Sequence, residues 1–176
     1  NILYEGQWSE HVIQLYSFSK VYRLTGHRVG LMVASKSFIK QVEKFLDTTT
    51  ICPNRLAQKA AYFGLLNLQE FMVKEKLKIE KLKDIFEKEL QNIENWSLLG
   101  IGGYFAYLGY NSKLDSISIA KKLLADQNIL TIPGEMFFPK SKNLFVKEKR
   151  SIRIAFANST YEEMIDLFKR LRNFVL

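Results

Sequence analysis

The sequence contains few of the residues that build disulfide frameworks and metal centres. Among its 176 residues there are one cysteine, Cys52, and two histidines. A single cysteine excludes a disulfide framework within the chain and favours a reducing compartment such as the cytoplasm. We interpret Cys52 itself as a small buried hydrophobic residue. No second histidine or carboxylate stands at metal-ligand spacing from His11, so the sequence predicts no metal site.

Long apolar runs and low-complexity tracts are also missing. No hydrophobic run reaches the roughly 20 residues of a membrane-spanning helix, which argues against a membrane partner. There is no internal repeat and no linker rich in serine and glycine. Apolar residues nevertheless make up 47% of the chain, with 13 Phe and 8 Tyr. This composition predicts a folded globular protein of one domain or two small ones.

The net charge of +8 raises the question of a nucleic-acid partner. The lysines, however, are spread along the chain and interleaved with glutamates. No zinc-finger, helix-turn-helix or aromatic RNA-binding signature accompanies them. Basic residues in such a distribution are typical of solvated helix faces. We therefore predict no nucleic-acid partner.

One stretch, residues 13–30, carries the side chains that are best suited to chemistry. Its apolar alternation predicts a short buried strand over residues 12–18, and the hydroxyls of Ser17 and Ser19 lie at the strand end. Lys20 follows at the exit of this strand. A lysine held in apolar surroundings keeps its amine neutral more readily, and a neutral amine can attack a carbonyl.

Arg28 adds a second charged group to this stretch. An arginine fork combined with serine hydroxyls is suited to a phosphate, as the lysine amine is suited to an aldehyde. Pyridoxal phosphate is a cofactor that carries both groups. The alternative is that a Ser-x-Ser-Lys string is simply a solvated strand end, and the residues of this short string leave that alternative open.

The longer string SFSKVYRLTGHRVG resembles the cofactor-lysine segment of the class I/II aminotransferases, which are fold-type I pyridoxal-phosphate enzymes. The family pattern is S-x-S-K, a short spacer and T-G-x-R-x-G. Every position of the pattern is matched, by Ser17, Ser19, Lys20, Thr25, Gly26, Arg28 and Gly30. The resemblance implies that Lys20 holds the cofactor covalently. It also implies that Ser17 and Arg28 bind the phosphate and that Ser19 belongs to the same cofactor site.

A second arginine of interest, Arg153, lies in the otherwise apolar string SIRIAFAN. Burying an unpaired guanidinium is costly, so we expect an anionic partner, either an acidic side chain in a structural salt bridge or a ligand. The string resembles a strand of the same family, whose arginine binds the α-carboxylate of the amino-acid substrate. GGYFAYL and ILTIPGEMFF resemble two more family segments. We predict the aromatic residues of GGYFAYL to be core residues rather than substrate contacts.

Periodicity and capping residues predict helices that alternate with strands, which is typical of an α/β or α+β chain. We expect strands at residues 12–18, 29–34, 104–110, 129–132 and 151–158. We expect helices at residues 35–46, 55–66, 67–94 and 115–127, with a final helix after Thr160. The expected N-caps are Ser35 or Ser37, Asn54, Asp115 or Ser116, and Thr160. Residues 1–10 and 139–150 are expected to be loops.

The resemblance implies the C-terminal part of the fold-type I fold of pyridoxal-phosphate-dependent transferases. Residues 1–80 would form the C-terminal part of the large cofactor-binding domain, and residues 81–176 the small α+β C-terminal domain, joined by the long helix over residues 67–94. In the family the cofactor lysine lies past the middle of the polypeptide, so we expect an N-terminal portion to be missing here. The strands of the partial large-domain sheet should then have bare apolar faces.

The implied activity is transfer of an amino group between an amino acid and a 2-oxo acid by a homodimer. In the family, the aspartate and tyrosine that contact the pyridine ring precede the lysine segment, so this chain alone should be inactive or nearly so. β-Lyases and decarboxylases of the same fold share these motifs, and sequence does not separate them. A non-catalytic α/β interaction module is the alternative from another class, and Lys20→Ala would discriminate between the two classes.

Overall fold

The computed structural model describes residues 8–138 and 150–176. The chain divides into two compact units, Asn1–Lys74 and Glu75–Leu176. Most of the predicted loops at 1–10 and 139–150 therefore lie outside the described residues. The division falls inside a long helix, and the predicted domain boundary at residue 80 lies in the same helix and remains a prediction.

The first unit combines a two-stranded antiparallel sheet with helices. Its elements are α1 (Trp8–His11), β1 (Gln14–Ser17), α2 (Phe18–Val21), β2 (Gly30–Val33), α3 (Lys36–Thr49), α4 (Arg55–Asn67) and the first part of α5 (Gln69–Leu90). A 3₁₀ turn, Thr25–His27, precedes β2. A loop was predicted where α1 forms, because a single helical turn is too short for apolar periodicity to reveal it.

The two predicted caps in this unit are confirmed. The Ser35 hydroxyl accepts a hydrogen bond from the backbone N–H of Phe38 at 3.2 Å. The Asn54 side-chain oxygen accepts from Leu56 at 2.8 Å and from Ala57 at 3.3 Å. Such bonds satisfy N–H groups that the first turn of a helix leaves without an intrahelical partner, which fixes where α3 and α4 begin.

Small residues in α4 allow a tyrosine ring to pack closely. Ala57 and Ala61 are buried, and a Cβ atom at Gly64 would come within 2.7 Å of the ring of Tyr22. The small apolar cluster of this unit consists of Phe18, Tyr22, Val29, Ala57 and Ala61. Glycine at position 64 is therefore required by the close approach of Tyr22.

Much of the apolar surface of the first unit is exposed. Leu15 of β1 is 70% exposed and Phe45 of α3 is 67% exposed. The prediction that β1 is buried is wrong, because a two-stranded sheet offers its side chains too few neighbours. The expectation of bare apolar faces is confirmed. Cys52, predicted to be buried, is also exposed.

The second unit is built on a four-stranded antiparallel sheet with the strand order β3-β4-β6-β5. Its elements after α5 are β3 (Trp96–Gly102), β4 (Phe105–Tyr110), α6 (Ser116–Gln127), β5 (Ile132–Pro133), β6 (Ser151–Ala155) and α7 (Tyr161–Arg172). A 3₁₀ turn, Gly134–Phe137, follows β5. Within the described ranges, no helix combines the length and the hydrophobicity that crossing a membrane requires.

One face of this sheet forms the core of the unit. Leu108 of β4 and Ile152 of β6 are directly opposite each other and fully buried. Phe86 of α5 and Phe168 of α7 are also fully buried, with ring centroids 4.9 Å apart. Because side chains alternate along a strand, the residues next to these on β4 and β6 lie on the opposite face. That opposite face carries the candidate substrate arginine.

Two segments of the second unit differ from the sequence prediction. β3 was missed, because most of its side chains are exposed and give no alternation. The strand predicted at 129–132 is reduced to Ile132–Pro133. Its first residue belongs instead to the end of α6, where Asn128 has a positive φ and the N–H of Ile129 donates to the carbonyl of Leu123. The N–H of Asn128 also donates to the carbonyl of Leu124 at 3.1 Å, and this bond from a left-handed residue is the helix-ending pattern known as the αL motif.

Candidate active site

Lys20 lies in α2, the single helical turn that follows β1 directly. The Ser17 side chain caps this turn by accepting a hydrogen bond from the backbone N–H of Ser19 at 3.3 Å. Phe18 and Ser19 are buried, whereas Lys20 is exposed. The turn is thus anchored by its first two residues and presents the lysine outward. The apolar surroundings that the sequence argument gave to Lys20 are not built by the described residues.

Arg28 returns to the same end of the β1–β2 ladder. Ser17, the last residue of β1, is directly opposite Gly30, the first residue of β2. The ladder is extended by a bond from the N–H of Phe18 to the carbonyl of Val29 at 3.4 Å. Arg28 precedes that residue, so the antiparallel register brings it to the end of the sheet where Ser17 and the α2 turn lie.

The backbone of Arg28 has the left-handed conformation, with φ of 51°. For a non-glycine residue this conformation costs of order 1 kcal/mol. The Nη1 of Arg28 donates a hydrogen bond of 2.8 Å to the carbonyl of Thr25, which directs the guanidinium back over the 3₁₀ turn. The last glycine of the motif, Gly30, has a steric reason as well, because a Cβ there would lie 3.0 Å from the carbonyl oxygen of Tyr16.

Tyr22 packs against α2, the helical turn that contains Lys20. Its ring is 7% exposed and stacks on Phe18 with centroids 5.8 Å apart. Its hydroxyl is buried and has no hydrogen-bond partner within the described ranges. Burial raises the pKa of the Tyr22 hydroxyl, so the group stays protonated at neutral pH. We interpret Tyr22 as a packing residue that fixes α2 against α4.

Arg153 lies in the second unit, on the sheet face opposite the core. It is directly opposite Tyr107 of β4 on one side and Ile132 of β5 on the other. It is half-buried, and its Cζ lies over two aromatic rings, 4.2 Å from the centroid of Phe105 and 4.7 Å from that of Phe137. The sheet therefore presents Arg153 beside two aromatic side chains from neighbouring elements.

A structural salt bridge was one of the two partners that the sequence predicted for Arg153. Among residues 8–138 and 150–176, no carboxylate forms an ion pair with it. Cation–π contacts with Phe105 and Phe137 take that place, and partial exposure keeps the cost of desolvation low. The other predicted partner, an anionic ligand, remains a prediction.

The prediction that the aromatic residues of GGYFAYL belong to the core is wrong for Phe105 and Tyr107, which are half-buried and lie on the sheet face of Arg153. Tyr107 accepts a hydrogen bond from the hydroxyl of Ser151 at 2.8 Å, and its ring contacts Phe137 with centroids 6.2 Å apart. Strand alternation could have placed Tyr107 on the face of Arg153, whereas the contact with Phe137 depends on the turn after β5. In the described part of the chain, no three His, Cys, Asp or Glu side chains are grouped where they could hold a metal ion.

The structure thus brings Ser17, Ser19, Lys20 and Arg28 to one end of a two-stranded sheet in the first unit. Arg153 belongs to the second unit. The four residues of the first unit offer an amine, two hydroxyls and a guanidinium, which are donors for one carbonyl and one phosphate.

Comparison with known proteins identifies the family of the chain. The model of the family "Aminotransferase class I and II" matches residues 4–171. An aspartate aminotransferase of Sulfurisphaera tokodaii is 29% identical over 182 residues, which cover 99% of this chain and 43% of the relative. An aspartate aminotransferase of Thermotoga maritima is 25% identical, with 99% of this chain and 42% of the relative covered.

Solved structures agree with these relatives. YbdL of Escherichia coli, reported to have a methionine aminotransferase function, superposes with a TM-score of 0.82 at 25% identity, covering 99% of this chain and 44% of that one. The chain therefore spans less than half the length of the relatives it matches. The match between the family model and nearly the whole chain leads to one conclusion: this chain belongs to the class I and II aminotransferases.

Proposed function

We propose that this chain is part of a pyridoxal-phosphate-dependent aminotransferase, which transfers an amino group between an amino acid and a 2-oxo acid. The observation that carries the proposal is the convergence of Ser17, Ser19, Lys20 and Arg28 at one end of the β1–β2 ladder. A strand end that is merely solvated does not require these four residues to lie close together, whereas a cofactor with an aldehyde and a phosphate uses all four side chains.

The donors at this end of the sheet fit pyridoxal phosphate. The guanidinium of Arg28 and the hydroxyl of Ser17 would hold the phosphate, Ser19 would belong to the same cofactor site, and the amine of Lys20 would bind the aldehyde carbon. When bound, the cofactor supplies the electron sink that stabilises negative charge at the substrate Cα. The left-handed backbone of Arg28 and its hydrogen bond to the carbonyl of Thr25 restrict the positions that this guanidinium can adopt.

The protein residues then have separate tasks. The Nζ of Lys20 would accept the proton from the substrate Cα as a general base and later return it as a general acid. The guanidinium of Arg153 binds the substrate α-carboxylate through two parallel N–H donors, which fixes the orientation of Cα. The exposure of Lys20 and the half-exposure of Arg153 leave both groups accessible to small molecules.

The rest of the enzyme belongs to the same proposal. A further portion, N-terminal to the lysine segment, would supply the groups that contact the pyridine ring, and the coverage of 43% of a relative supports this. The working form would be a homodimer, for which the exposed apolar side chains of the first unit, such as Leu15 and Phe45, offer surface to bury. We place the enzyme in the cytoplasm, since its one cysteine suits a reducing compartment.

The proposal is tested on the full-length protein with Lys20→Ala. Reduction with borohydride and peptide mass mapping should attach a pyridoxyl group to the peptide that contains Lys20, and the variant should lose both the attachment and amino transfer. Lys40→Ala changes an exposed lysine of α3 and is the matched control. Attachment at another residue, or amino transfer retained by Lys20→Ala, would contradict the proposal. Products of elimination in place of amino transfer would favour a β-lyase.

A further inference from the structure

Arg153 is held by side chains from the two elements that flank its strand. Phe105 belongs to β4, which pairs with β6 on one side. Phe137 belongs to the 3₁₀ turn that follows β5, and β5 pairs with β6 on the other side. The Cζ of Arg153 lies 4.2 Å and 4.7 Å from the two ring centroids, within the roughly 6 Å range of a cation–π contact. We call these two phenylalanines the aromatic clamp.

The clamp acts on one part of the guanidinium and leaves another part accessible. A guanidinium is planar, and its five N–H donors point outward within that plane. An aromatic ring, in contrast, attracts a cation over its face through the ring quadrupole. Rings therefore restrain the position of Arg153 without using a single N–H donor. A carboxylate in the same place would occupy the donors that a ligand needs.

The Phe137 half of the clamp is itself restrained. The ring of Tyr107 contacts Phe137 edge-on, at 6.2 Å between centroids. The Tyr107 hydroxyl is fixed by the hydrogen bond of 2.8 Å from Ser151, which is fully buried. Gly134, three positions before Phe137, leaves room for both groups, since a Cβ there would lie 2.6 Å from the Tyr107 hydroxyl oxygen. The clamp is thus tied to the interior of the sheet.

We propose that Phe105 and Phe137 are positioning residues for Arg153, and that they hold its guanidinium so that the N–H edge is presented to the carboxylate of the substrate. This inference rests on the proposed function, because it gives the clamp a purpose only if Arg153 binds a carboxylate. Neither phenylalanine touches the substrate in this role; each acts through the arginine. Loss of a ring frees the side chain to adopt other rotamers, and carboxylate affinity falls accordingly.

The test uses the cofactor-loaded full-length protein and the arginine reagent phenylglyoxal. The rate of modification of Arg153 is followed by peptide mass mapping, with and without 2-oxoglutarate as the protecting carboxylate. We expect 2-oxoglutarate to protect Arg153 in the unsubstituted protein. In Phe137→Leu and Phe105→Leu we expect Arg153 to be modified faster. Equal protection should require about a fivefold higher 2-oxoglutarate concentration, because each variant loses one cation–π contact. In these two variants the KM for 2-oxoglutarate should rise by a similar factor, and kcat should change less.

Conservative variants separate a positioning role from a general structural one. Phe137→Tyr and Phe105→Tyr keep an aromatic face and should restore protection and KM to near the unsubstituted values. Tyr161→Leu removes an exposed ring from α7 of the second unit and serves as the control for loss of a ring. Thermal unfolding of each variant reports whether it is folded, and Phe137 is 45% exposed, so its replacement leaves the core intact.

The outcomes distinguish this inference from the proposed function. Protection that is equal in the unsubstituted protein and in both leucine variants would overturn the clamp and leave the role of Arg153 standing. Absence of protection in the unsubstituted protein would overturn the carboxylate role of Arg153 and the clamp together. Tyrosine variants that behave as the leucine variants do would also overturn the cation–π explanation.

Discussion

At the scale of single residues, Arg153 shows how an apolar strand accommodates a charge. Its neighbours Ile152 and Ile154 are buried on the core face of the sheet, whereas Arg153 lies half-buried on the opposite face. Strand alternation thus avoids the full cost of placing a guanidinium in a core. Within the described ranges its charge meets aromatic faces and no carboxylate, so it can attract an anion from outside this sheet.

Gly134 is the residue on which the packing near Arg153 depends most directly. A Cβ there would lie 1.9 Å from the Ser151 hydroxyl oxygen and 2.7 Å from the Ser151 carbonyl oxygen, which is backbone and cannot rotate away. We expect Gly134→Ala to lower the free energy of unfolding by about 2 kcal/mol through overpacking. Urea unfolding of the full-length protein measures the change.

A glycine in the sheet of the same unit provides the control for that substitution. A Cβ at Gly100 of β3 would meet no atom within 4 Å. Gly100→Ala should therefore change the free energy of unfolding by less than about 0.5 kcal/mol. Equal destabilisation by the two alanines would show that close approach at Gly134 is not the cause.

At the scale of elements, helix starts are set by short polar contacts. Asp115 caps α6 by accepting a hydrogen bond from the N–H of Ser118 at 2.7 Å. Thr160 and Glu163 form a capping box at α7, in which each side chain accepts a backbone N–H of the other residue. Because both contacts lie within three residues of sequence, each helix carries its own start signal, whatever packs on it later.

Asp115 gives this capping argument a pH dependence. The hydrogen bonds from Ser118 hold the pKa of the Asp115 carboxyl below its ordinary value of 3.8. The folded state therefore binds this proton less readily than the unfolded state, and the carboxylate stabilises the fold above that ordinary pKa. The stabilisation is lost as the pH falls through the lowered folded-state value.

We expect Asp115→Ala to cost about 1 kcal/mol of unfolding free energy at pH 7. The difference from the unsubstituted protein should shrink below pH 4, because protonation removes the charge that the alanine variant also lacks. Urea unfolding at several pH values measures this difference. Asp47→Ala, in the exposed last turns of α3, is the control. A difference that grows as the pH falls would contradict the assigned sign.

Local signals made the caps and the lysine segment predictable from sequence. Ser35, Asn54 and Asp115 cap helices as expected, and the S-x-S-K and T-G-x-R-x-G strings flag the residues that the β1–β2 register later brings together. The aromatic clamp could not be predicted in the same way. Phe137 approaches Arg153 only because the chain turns after a two-residue strand, and no periodic pattern encodes that turn.

Burial was the least predictable property, because it depends on neighbours beyond the segment itself. The alternation at 12–18 correctly indicates a strand, yet Leu15 is 70% exposed. The apolar pattern specifies a face to be covered, while the cover must come from another part of the fold. In the second unit, where four strands and three helices are present in the described ranges, the apolar residues Leu108 and Phe86 are fully buried.

At the scale of the whole molecule, the two units differ in how far each completes itself. Among the described residues, the second unit has a continuous core of 18 buried residues from its sheet and helices. The corresponding cluster of the first unit has five buried residues. Since stability grows with the apolar surface removed from water, the first unit gains less from its own contacts and more from whatever covers Leu15 and Phe45.

This contrast leads to a prediction for the isolated 176-residue chain. We expect it to self-associate, because association removes the exposed apolar side chains of the first unit from water. We also expect it to lack aminotransferase activity, because in the family the residues that contact the pyridine ring precede the lysine segment. Sedimentation velocity and a coupled amino-transfer assay measure the two properties. Leu15→Glu with Phe45→Glu should weaken association, whereas Leu130→Glu, at a 79% exposed position of the second unit, should not. A monomeric isolated chain would contradict the first expectation, and a fully active one would contradict the proposal that an N-terminal portion supplies the contacts to the pyridine ring.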